Sequence, residues 1–395
     1  QLMSTASNTT PSRENTAATP QHNSLTGGRK PGWVWMAVLA GALVVGVLLT
    51  LLLGGFSIAG TVIIAAIVFV AGMFIVDMVM ENRRRATDNL WKHLVWGAFL
   101  LALVPLVSVL WSVIATGLPT LVRQPQVMAY DMAGVTGVDD ADYADAGNPA
   151  GGLAGGFVHA LIGTVLITLI ATVISVPIGL LTSIYLVEYG RDGWFSRAII
   201  FFVDVMTGIP SIVAGLFAFA AMQQILELVM GPGPAALQSV RMGFTAAIAL
   251  SVLMIPVVVR STEEMLRVVP NELREGSYAL GVRKWRTISK VVLPTAISGI
   301  ASGITLAIAR VAGETAPILV TAGFAAAINT NPFSEWMTAL PVFIYRQLVS
   351  PTSPATGDPS LQRAWAAAFV LIVIVMSLNL LSRIIAKSFA PKTGR

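Results

Sequence analysis

Residues 31–76 read PGWVWMAVLAGALVVGVLLTLLLGGFSIAGTVIIAAIVFVAGMFIV and contain no charged side chain. As one helix this stretch would be about 69 Å long, twice the hydrocarbon core of a bilayer, because each helical residue adds about 1.5 Å. We therefore predict two membrane helices, about 33–53 and 57–80, which turn at Gly54-Gly55. Such a stretch is typical of a membrane protein built from helices.

The composition of the whole chain indicates the same class. Of its 395 residues, 55% are hydrophobic and 11% are charged, and the mean hydropathy is +0.77. Soluble proteins carry about 25% charged residues, so a soluble domain, a disordered chain and a fibrous protein are excluded. The absence of cysteine excludes disulfides and thiol chemistry. The three histidines are far apart in sequence, and we predict no metal site.

Six further apolar stretches bring the predicted number of membrane helices to eight. The fourth span is long, and Pro177 should kink it because proline lacks a backbone N–H. The six stretches are 94–116, 157–187, 198–222, 243–260, 296–322 and 364–386.

The lysines and arginines are unevenly divided among the connecting segments. With the N-terminus placed in the cytoplasm, 20 of the 25 lie in inside segments, four lie outside and Arg310 lies within a span. Basic loops stay on the cytoplasmic side. We therefore predict a multi-pass protein of the cell membrane with both termini cytoplasmic. The net charge of +5 then reflects topology, and nucleic acid is not expected as a partner.

Two polar segments lie outside the spans. Residues 1–32 are rich in Ser, Thr, Asn and Gln, and we predict a disordered cytoplasmic tail. The outer loop 117–156 holds five aspartates among glycines. Calcium binding is one interpretation, but the spacing fits no calcium motif and favours a solvated loop.

The inside loop 260–294 is longer than the others and has helical character of its own. Pro270 should end one helical stretch, and Asn271 can cap the next, which Gly281 should stop. Leu273, Ser277 and Leu280 would share one face of that helix, and the small residues Gly276 and Ser277 would let a partner come close. A second amphipathic stretch is predicted at 283–292. A pair of helices lying on the membrane surface is the alternative interpretation.

The spacing of residues in this loop resembles the EAA loop of ABC importer permeases. The pattern is Glu275-Gly276-Ser277, three residues, Gly281, nine residues, then Val291-x-Leu293-Pro294. Gly276 and Ser277 replace two alanines of that pattern, and Val291 replaces an isoleucine. The run at 309–317, ARVAGETAP, is similar to the A-type permeases of phosphate-specific ABC importers, as are 203–216, 269–285 and 340–345. Sulfate and molybdate permeases share the EAA loop without the 309–317 run.

This resemblance implies a type I ABC importer permease fold, all-α and polytopic, with a six-helix core and two extra N-terminal membrane helices. The implied domains are the tail, an extra hairpin with its basic loop at 33–92, and a permease domain at 93–390. The loop would form a coupling helix that docks on a separate ATPase. The residues of that helix expected to serve coupling are Asn271, Glu272, Arg274, Glu275, Gly276, Ser277, Leu280 and Gly281.

The resemblance further implies that the chain imports inorganic phosphate as half of a translocation path and is not itself an enzyme. Its partners would be a second, homologous permease, two ATPase subunits and an extracytoplasmic phosphate-binding protein. The sequence contains no Gly-x-x-x-x-Gly-Lys-Ser/Thr phosphate-binding loop. We therefore expect no cofactor in this chain, with ATP used by the partner ATPase.

Two charged residues within the seventh predicted span are candidates for the translocation path. Arg310 and Glu314 are four residues apart and could meet on one helix face. Gly313 and Pro317 should act as a hinge, because Pro317 cannot bond the Gly313 carbonyl. A charge at the bilayer centre costs about 2.5–3.5 kcal/mol, so these side chains should face protein or water. The functional interpretation is that Arg310 offers transient charge to an oxyanion and Glu314 tunes it; the alternative is an ion pair that fixes helix packing.

Two aspartates also lie in predicted spans. Asp204 is a weaker candidate for the path, or it pairs with a neighbouring chain. Asp77 lies near Arg83–Arg85 and should reach the membrane interface. The break at Gly208-Ile209-Pro210-Ser211 favours a kink over an anion contact, and Gly299-x-x-x-Gly303 could be a close helix contact.

Three rival functions remain open at this stage. A secondary transporter would explain the apolar helices but leaves the EAA spacing unexplained. An intramembrane enzyme or scaffold would need a polar constellation that the sequence lacks. An ABC importer for another oxyanion, such as sulfate, molybdate or phosphonate, is the closest alternative.

Overall fold

The computed structural model describes residues 30–53, 55, 57–147, 152–190 and 193–389. The predicted tail at 1–32 lies mostly outside these residues, as does Gly54 of the predicted turn. The described chain contains fifteen α-helices: α1 Val34–Leu52, α2 Ile58–Met80, α3 Arg83–Arg123, α4 Gly137–Asp145, α5 Val158–Ile184, α6 Trp194–Gly208, α7 Ser211–Met230, α8 Pro234–Ser239, α9 Gly243–Val268, α10 Asn271–Ala279, α11 Lys284–Thr287, α12 Leu293–Ala312, α13 Ala316–Thr321, α14 Leu340–Val349 and α15 Asp358–Phe389.

Eight helical segments of the described chain are long and apolar enough to cross a membrane. They are Val34–Leu52, Ile58–Met80, Arg83–Arg123, Val158–Tyr189, Ser211–Met230, Gly243–Val268, Lys284–Ala312 and Asp358–Ile385. The predictions of an all-α polytopic membrane protein and of eight spans are therefore confirmed.

Four predicted spans have different bounds in the structure. The third, predicted at 94–116, is the longer helix α3, Arg83–Arg123. The fifth, predicted at 198–222, is divided into α6 and α7 at the predicted break Gly208–Ser211, because Pro210 has no N–H and holds Ile209 extended. The sixth extends to Val268 instead of ending at 260. The seventh begins at Lys284 and ends at Ala312 instead of covering 296–322.

The chain divides into two compact units, up to Val109 and from Leu110 onward. In the first unit α1 and α2 form a hairpin that packs through small residues. A Cβ atom on Gly46 would lie 2.8 Å from the Thr61 carbonyl oxygen, so only glycine allows this approach. The Thr50 and Thr61 hydroxyls are hydrogen-bonded at 3.0 Å and satisfy each other inside the hairpin.

Asp77 of α2 is buried, which corrects the prediction that it reaches the interface beside Arg83–Arg85. Its carboxylate forms an ion pair with Lys30 and accepts a 2.8 Å hydrogen bond from the Asn89 side chain. The segment before α1 is thereby fastened to the end of α2. A buried charge needs such partners because water no longer solvates it.

In the second unit α9 is the most buried of the eight spans and lies at the centre of the bundle. It shares one hydrophobic core with residues of α5, α12, α13 and α14; this core includes Ile167, Leu250, Met254, Val258, Ala307 and Val311. The Gly299-x-x-x-Gly303 pair is a close helix contact, as predicted: a Cβ on Gly299 would clash with Met265, and one on Gly303 with Ser261.

The two ends of this bundle have their own cores. At the end that carries α4, Phe157, Phe343 and Ala366 pack together. At the end that carries α10, Ile184, Leu266 and Ile288 do the same. We refer to these as the α4 end and the α10 end.

The aspartate-rich loop is folded and not simply solvated, which corrects the prediction. Asp140 of α4 is fully buried against Arg363 of α15, with Nη1 2.9 Å from Oδ1 and Nη2 bonded to Oδ2. Asp139 accepts two hydrogen bonds of 2.8 Å from the backbone N–H and hydroxyl of Thr136. These bonds stabilise the carboxylate and lower the pKa of Asp139. No cluster of three or more potential metal ligands occurs in the described part of the chain.

Candidate functional site

At the α10 end, Arg274 ties the short helix α10 to α5 and α9. Its guanidinium lies 3.0 Å from the Glu188 carboxylate and also donates to the carbonyls of Val269 and Leu266, at 2.6 and 2.9 Å. Glu188 and Arg274 are both largely shielded from solvent, with side chains 5% and 13% exposed. Three acceptors of two kinds, one carboxylate and two backbone carbonyls, thus hold one side chain and fix α10 against the bundle.

The second half of the loop is not a separate surface helix. Helices α11 and α12 are joined by a π-helical turn at Ile288–Val292, so 284–312 forms one continuous helical segment. This corrects the predicted amphipathic stretch at 283–292. The wider turn accommodates Pro294, which has no N–H to donate to the preceding turn. Lys284 donates to the Glu188 carbonyl, and its ammonium lies 4.7 Å from the centre of the Tyr189 ring.

Two of the three residues predicted for the free face of α10 lie on it, and the third does not. Leu273 and Leu280 are exposed, at 43% and 84%. Ser277 is buried, and its hydroxyl is hydrogen-bonded to that of Thr287 at 2.8 Å, so it faces inward and does not serve the free surface. A Cβ on Gly276 would have no atom within 4 Å. The other exposed side chains of α10 are those of Asn271, Glu272, Glu275, Tyr278 and Ala279.

Both ends of α10 follow backbone chemistry. Gly281 adopts φ +74°, the left-handed conformation that commonly ends helices, as predicted. Asn271 is the first helical residue and provides no cap; its side-chain oxygen instead accepts from Arg274 at 3.3 Å. The helical stretch before Pro270 is the continuation of α9 and not a short element of its own.

Arg310 and Glu314 do not lie on one helix, which corrects the expectation that they meet on a helix face. Helix α12 ends at Ala312, and α13 begins at Ala316, so Gly313 and Glu314 lie in the break. The interruption predicted at Gly313 and Pro317, a bend or an unwound turn, is present as a full break between α12 and α13. Within the part of the chain that the structure describes, Arg310 has no ion-pair partner and is exposed, while Glu314 is half-buried.

Asp204 has a partner within its own chain. Its carboxylate is ion-paired with Arg260, which lies 3.1 Å from Glu263, and Glu263 in turn lies 2.7 Å from Arg267. The structure therefore joins α6 to α9 through alternating charges. The prediction of a pairing with a neighbouring chain has no support in this arrangement, because the Asp204 carboxylate already has Arg260 as its partner.

Residues 175–395 match the family described as binding-protein-dependent transport system inner membrane component. The chain belongs to this family. As an ABC importer permease it is a transport subunit and not an enzyme, and its fold class agrees with the predicted one. The α10 loop and the break after Arg310 both lie inside the matched region.

The permease is similar to curated relatives over most of its length. It is 43% identical over 303 residues to phosphate transport system permease protein PstA 1 of Mycobacterium tuberculosis, covering 77% of this chain and 90% of that one. It is 39% identical over 214 residues to PstA of Yersinia pestis, covering 53% and 65%. Among solved structures, a chain of the inward-facing MetNI methionine ABC transporter matches with a TM-score of 0.42 and 20% identity, over 59% of this chain and 93% of that chain.

Two buried partners of α10, Glu188 and Thr287, are not predicted from the sequence. Glu188 is 86 residues from Arg274, and no local pattern links them. The only signal was a lone carboxylate at the end of an apolar span, where it needs a cation or water. Arg274, which is predicted to serve coupling, has its side chain turned toward the bundle.

Replacing Arg274 with alanine is expected to destabilise the permease by about 1.5–3 kcal/mol, the range for hydrogen bonds to charged groups. The change leaves Glu188 and two carbonyls without their donor, and α10 loses its attachment. Thermal unfolding of the purified protein and co-purification of the ATPase measure the two effects. Arg286→Ala, at an exposed arginine of the same loop, is the matched control and should change neither. Equal losses in both variants would contradict the role of Arg274.

Proposed function

We propose that this permease imports inorganic phosphate across the cell membrane and that it forms half of the translocation path. The observation that carries the proposal is an exposed arginine in an apolar span, Arg310, at a break in the helix. An arginine facing lipid costs about 2.5–3.5 kcal/mol. A second permease or water must therefore cover this surface, and phosphate, which carries one to two negative charges, suits a guanidinium.

The break that contains Glu314 is the reason why we expect anion binding at Arg310 to be weak. An anion held by a tight, fully paired site would leave slowly, whereas conduction needs weak binding. No carboxylate of the described residues holds Arg310, and half-buried Glu314 lies close enough in sequence to bind it as the segment moves. Gly313 and Pro317 serve as the hinge of that movement. The 43% identity to a phosphate transport permease supports phosphate over other oxyanions.

The orientation of the permease follows from its basic loops. With both termini in the cytoplasm, the α10 end lies inside and the α4 end lies outside. The exposed face of α10 then contacts a separate ATPase, one on each of two homologous permeases. An extracytoplasmic phosphate-binding protein delivers the substrate to the α4 end. ATP is hydrolysed by the partner and not by this chain. Within this scheme the tail, the hairpin with its basic loop at 33–92 and the permease domain at 93–390 are the proposed parts, and α3 runs without a break across the boundary at 92.

Uptake of radiolabelled phosphate tests the proposal directly. Cells that lack this gene and other phosphate systems are compared with and without a plasmid copy, at micromolar phosphate. We expect the plasmid to restore uptake that excess unlabelled phosphate blocks and excess sulfate does not. Unchanged uptake with and without the plasmid would refute the phosphate assignment. Uptake that persists without the ATPase would instead support a secondary transporter.

Replacing Gly276 with tryptophan is expected to abolish ATPase docking without harming the permease. A side chain at this position enters open space on the free face of α10, so the fold should accept it. The bulky ring would hold a partner away from Leu273 and Leu280. Co-purification of the ATPase should fall at least tenfold, while the unfolding midpoint of the permease stays the same. Gly357→Trp, at a glycine of the α4 end where an added Cβ likewise has no atom within 4 Å, serves as the size-matched control. Normal docking of the Gly276 variant would place the ATPase elsewhere.

A further inference from the structure

A small cavity at the α4 end has one apolar and one polar wall. It measures about 210 Å³ and lies between the segment before α4, the segment after α13 and the C-terminal end of α14. The apolar wall is formed by Met132, Val135, Phe324 and Ala326. The polar wall is formed by Arg346, Gln347, Ser350 and Thr352. We call this space the outer cavity.

The polar wall contains a buried group that lacks a partner. Gln347 is 4% exposed, and its side-chain oxygen makes no hydrogen bond in the described structure. Most buried side-chain oxygens are hydrogen-bonded, so an isolated one indicates a bond made by something outside the chain. Gln347 lines the outer cavity, and a turn of its amide toward that cavity would let a bound ligand supply the missing donor.

The same wall offers a positive charge that no carboxylate neutralises. The Arg346 guanidinium lies 4.7 Å from the centre of the Phe324 ring, which holds it by a cation–π contact. Among the described residues, no carboxylate lies within ion-pair distance of it. Its planar donor set remains available for an oxyanion.

Thr352 adds a donor that is already polarised. Its hydroxyl oxygen accepts from Arg363 at 3.3 Å and from Ser360 at 3.5 Å. With its oxygen accepting from these two groups, the hydroxyl is left to donate its own proton into the cavity. The wall thus presents cationic and hydroxyl donors beside one amide acceptor.

We propose that the outer cavity binds phosphate on the extracytoplasmic side, upstream of Arg310. The anionic oxygens of phosphate accept from Arg346 and Thr352, and its P–OH group donates to the Gln347 oxygen. Both ionic forms of phosphate at neutral pH carry such a hydroxyl, whereas sulfate carries none. The site therefore distinguishes phosphate from sulfate by the P–OH hydrogen that only phosphate carries. This inference rests on the proposed function, because it assumes that phosphate is the substrate.

A phospholipid headgroup also carries a phosphate group, but that group has no P–OH hydrogen. Its phosphodiester has anionic oxygens for Arg346 and no P–OH for Gln347. The acceptor on the polar wall consequently favours the free ion. The two sources are separable by experiment, since a lipid stays with the purified protein and the free ion exchanges.

Equilibrium binding of radiolabelled phosphate to the complete importer tests the inference. The importer, with both permeases and the ATPases, is purified into nanodiscs without the binding protein and without ATP. All measurements use an Arg310→Gln background, so that phosphate bound at the path does not contribute. We expect saturable binding that unlabelled phosphate displaces and sulfate does not. Arg346→Gln and Gln347→Leu should each weaken it at least tenfold.

Arg241→Gln is the matched control, because Arg241 is an exposed arginine that also lies over an aromatic ring, that of Trp336, outside the outer cavity. It should bind phosphate normally. Arg346 is exposed as well, so Arg346→Gln should fold even if the buried Gln347 variant does not. Gln347→Glu keeps the size of the side chain and should also lose binding, through charge repulsion.

Three results would overturn the inference. Unaltered phosphate binding in Arg346→Gln and Gln347→Glu would do so, as would the absence of any binding in the Arg310→Gln background. Stoichiometric phospholipid bound in wild type and lost in Arg346→Gln, measured by mass spectrometry, would assign the outer cavity to a lipid. Each of these leaves phosphate uptake by the wild-type importer intact. Loss of the proposed function would instead appear as absent uptake in cells.

Discussion

Replacing Arg310 with glutamine is expected to abolish phosphate uptake while leaving the importer assembled. The change removes the positive charge from an exposed position in an apolar span, where no carboxylate of the described chain depends on it. An oxyanion entering a low-dielectric path without that charge would lose its main source of compensation. Uptake should therefore fall by at least a hundredfold.

Uptake assays and co-purification of the subunits together separate transport from packing. If Arg310 fixes helix packing instead, Arg310→Gln should reduce the amount of assembled importer in proportion to uptake. Arg310→Lys should retain part of the activity, because it keeps the charge and loses the planar donor set. Arg383→Gln, at an exposed arginine near the end of α15, is the control and should transport normally.

Replacing Arg363 with methionine is expected to destabilise the α4 end by about 3–5 kcal/mol, the cost of breaking a buried ion pair. Arg363 and Asp140 are both fully buried, and the arginine also donates to the Ala154 carbonyl at 2.8 Å. Removing it leaves the Asp140 carboxylate unsolvated and unpaired. The midpoint of thermal unfolding of the purified permease measures the effect.

The double variant Arg363→Met/Asp140→Leu distinguishes a buried charge from lost packing. It removes both charges together and should recover most of the stability lost in the single variant, because no unpaired carboxylate remains. Arg241→Met, at an exposed arginine of the same end, should change the midpoint little. A single variant that unfolds like wild type would show that the pair contributes nothing to stability.

The coupling loop shows which features local sequence patterns predict and which they do not. Pro270 and Gly281 set the ends of α10 through backbone geometry alone, and both were predicted correctly. The direction of each side chain depends on what α10 packs against. Ser277 was therefore assigned to the free face although it bonds Thr287 inside. Arg274 was assigned to docking although Glu188, from another helix, turns it toward the bundle.

The charged residues of the spans show the same limit. A charge in hydrocarbon is costly, so the charged residues of the spans are expected to need partners or water. These residues are Arg310, Glu314, Asp204 and Asp77. Which partner each one finds does not follow. Asp77 meets Lys30, from the segment before α1, and Asp204 meets Arg260, from a helix 56 residues away. Arg310 and Glu314, four apart in sequence, do not share a helix because the chain breaks between them.

The sequence by itself determined the membrane class, the eight spans, the permease family and the breaks at proline and glycine. Hydrophobic length, the cost of burying charge and the missing N–H of proline are properties of short segments, and they act before any two segments meet. Only the tertiary structure decided the pairs Asp140–Arg363 and Glu188–Arg274, the inward turn of Ser277 and the two walls of the outer cavity. These depend on which distant helices pack together, and the energy of a buried polar group is set by the neighbour that satisfies it.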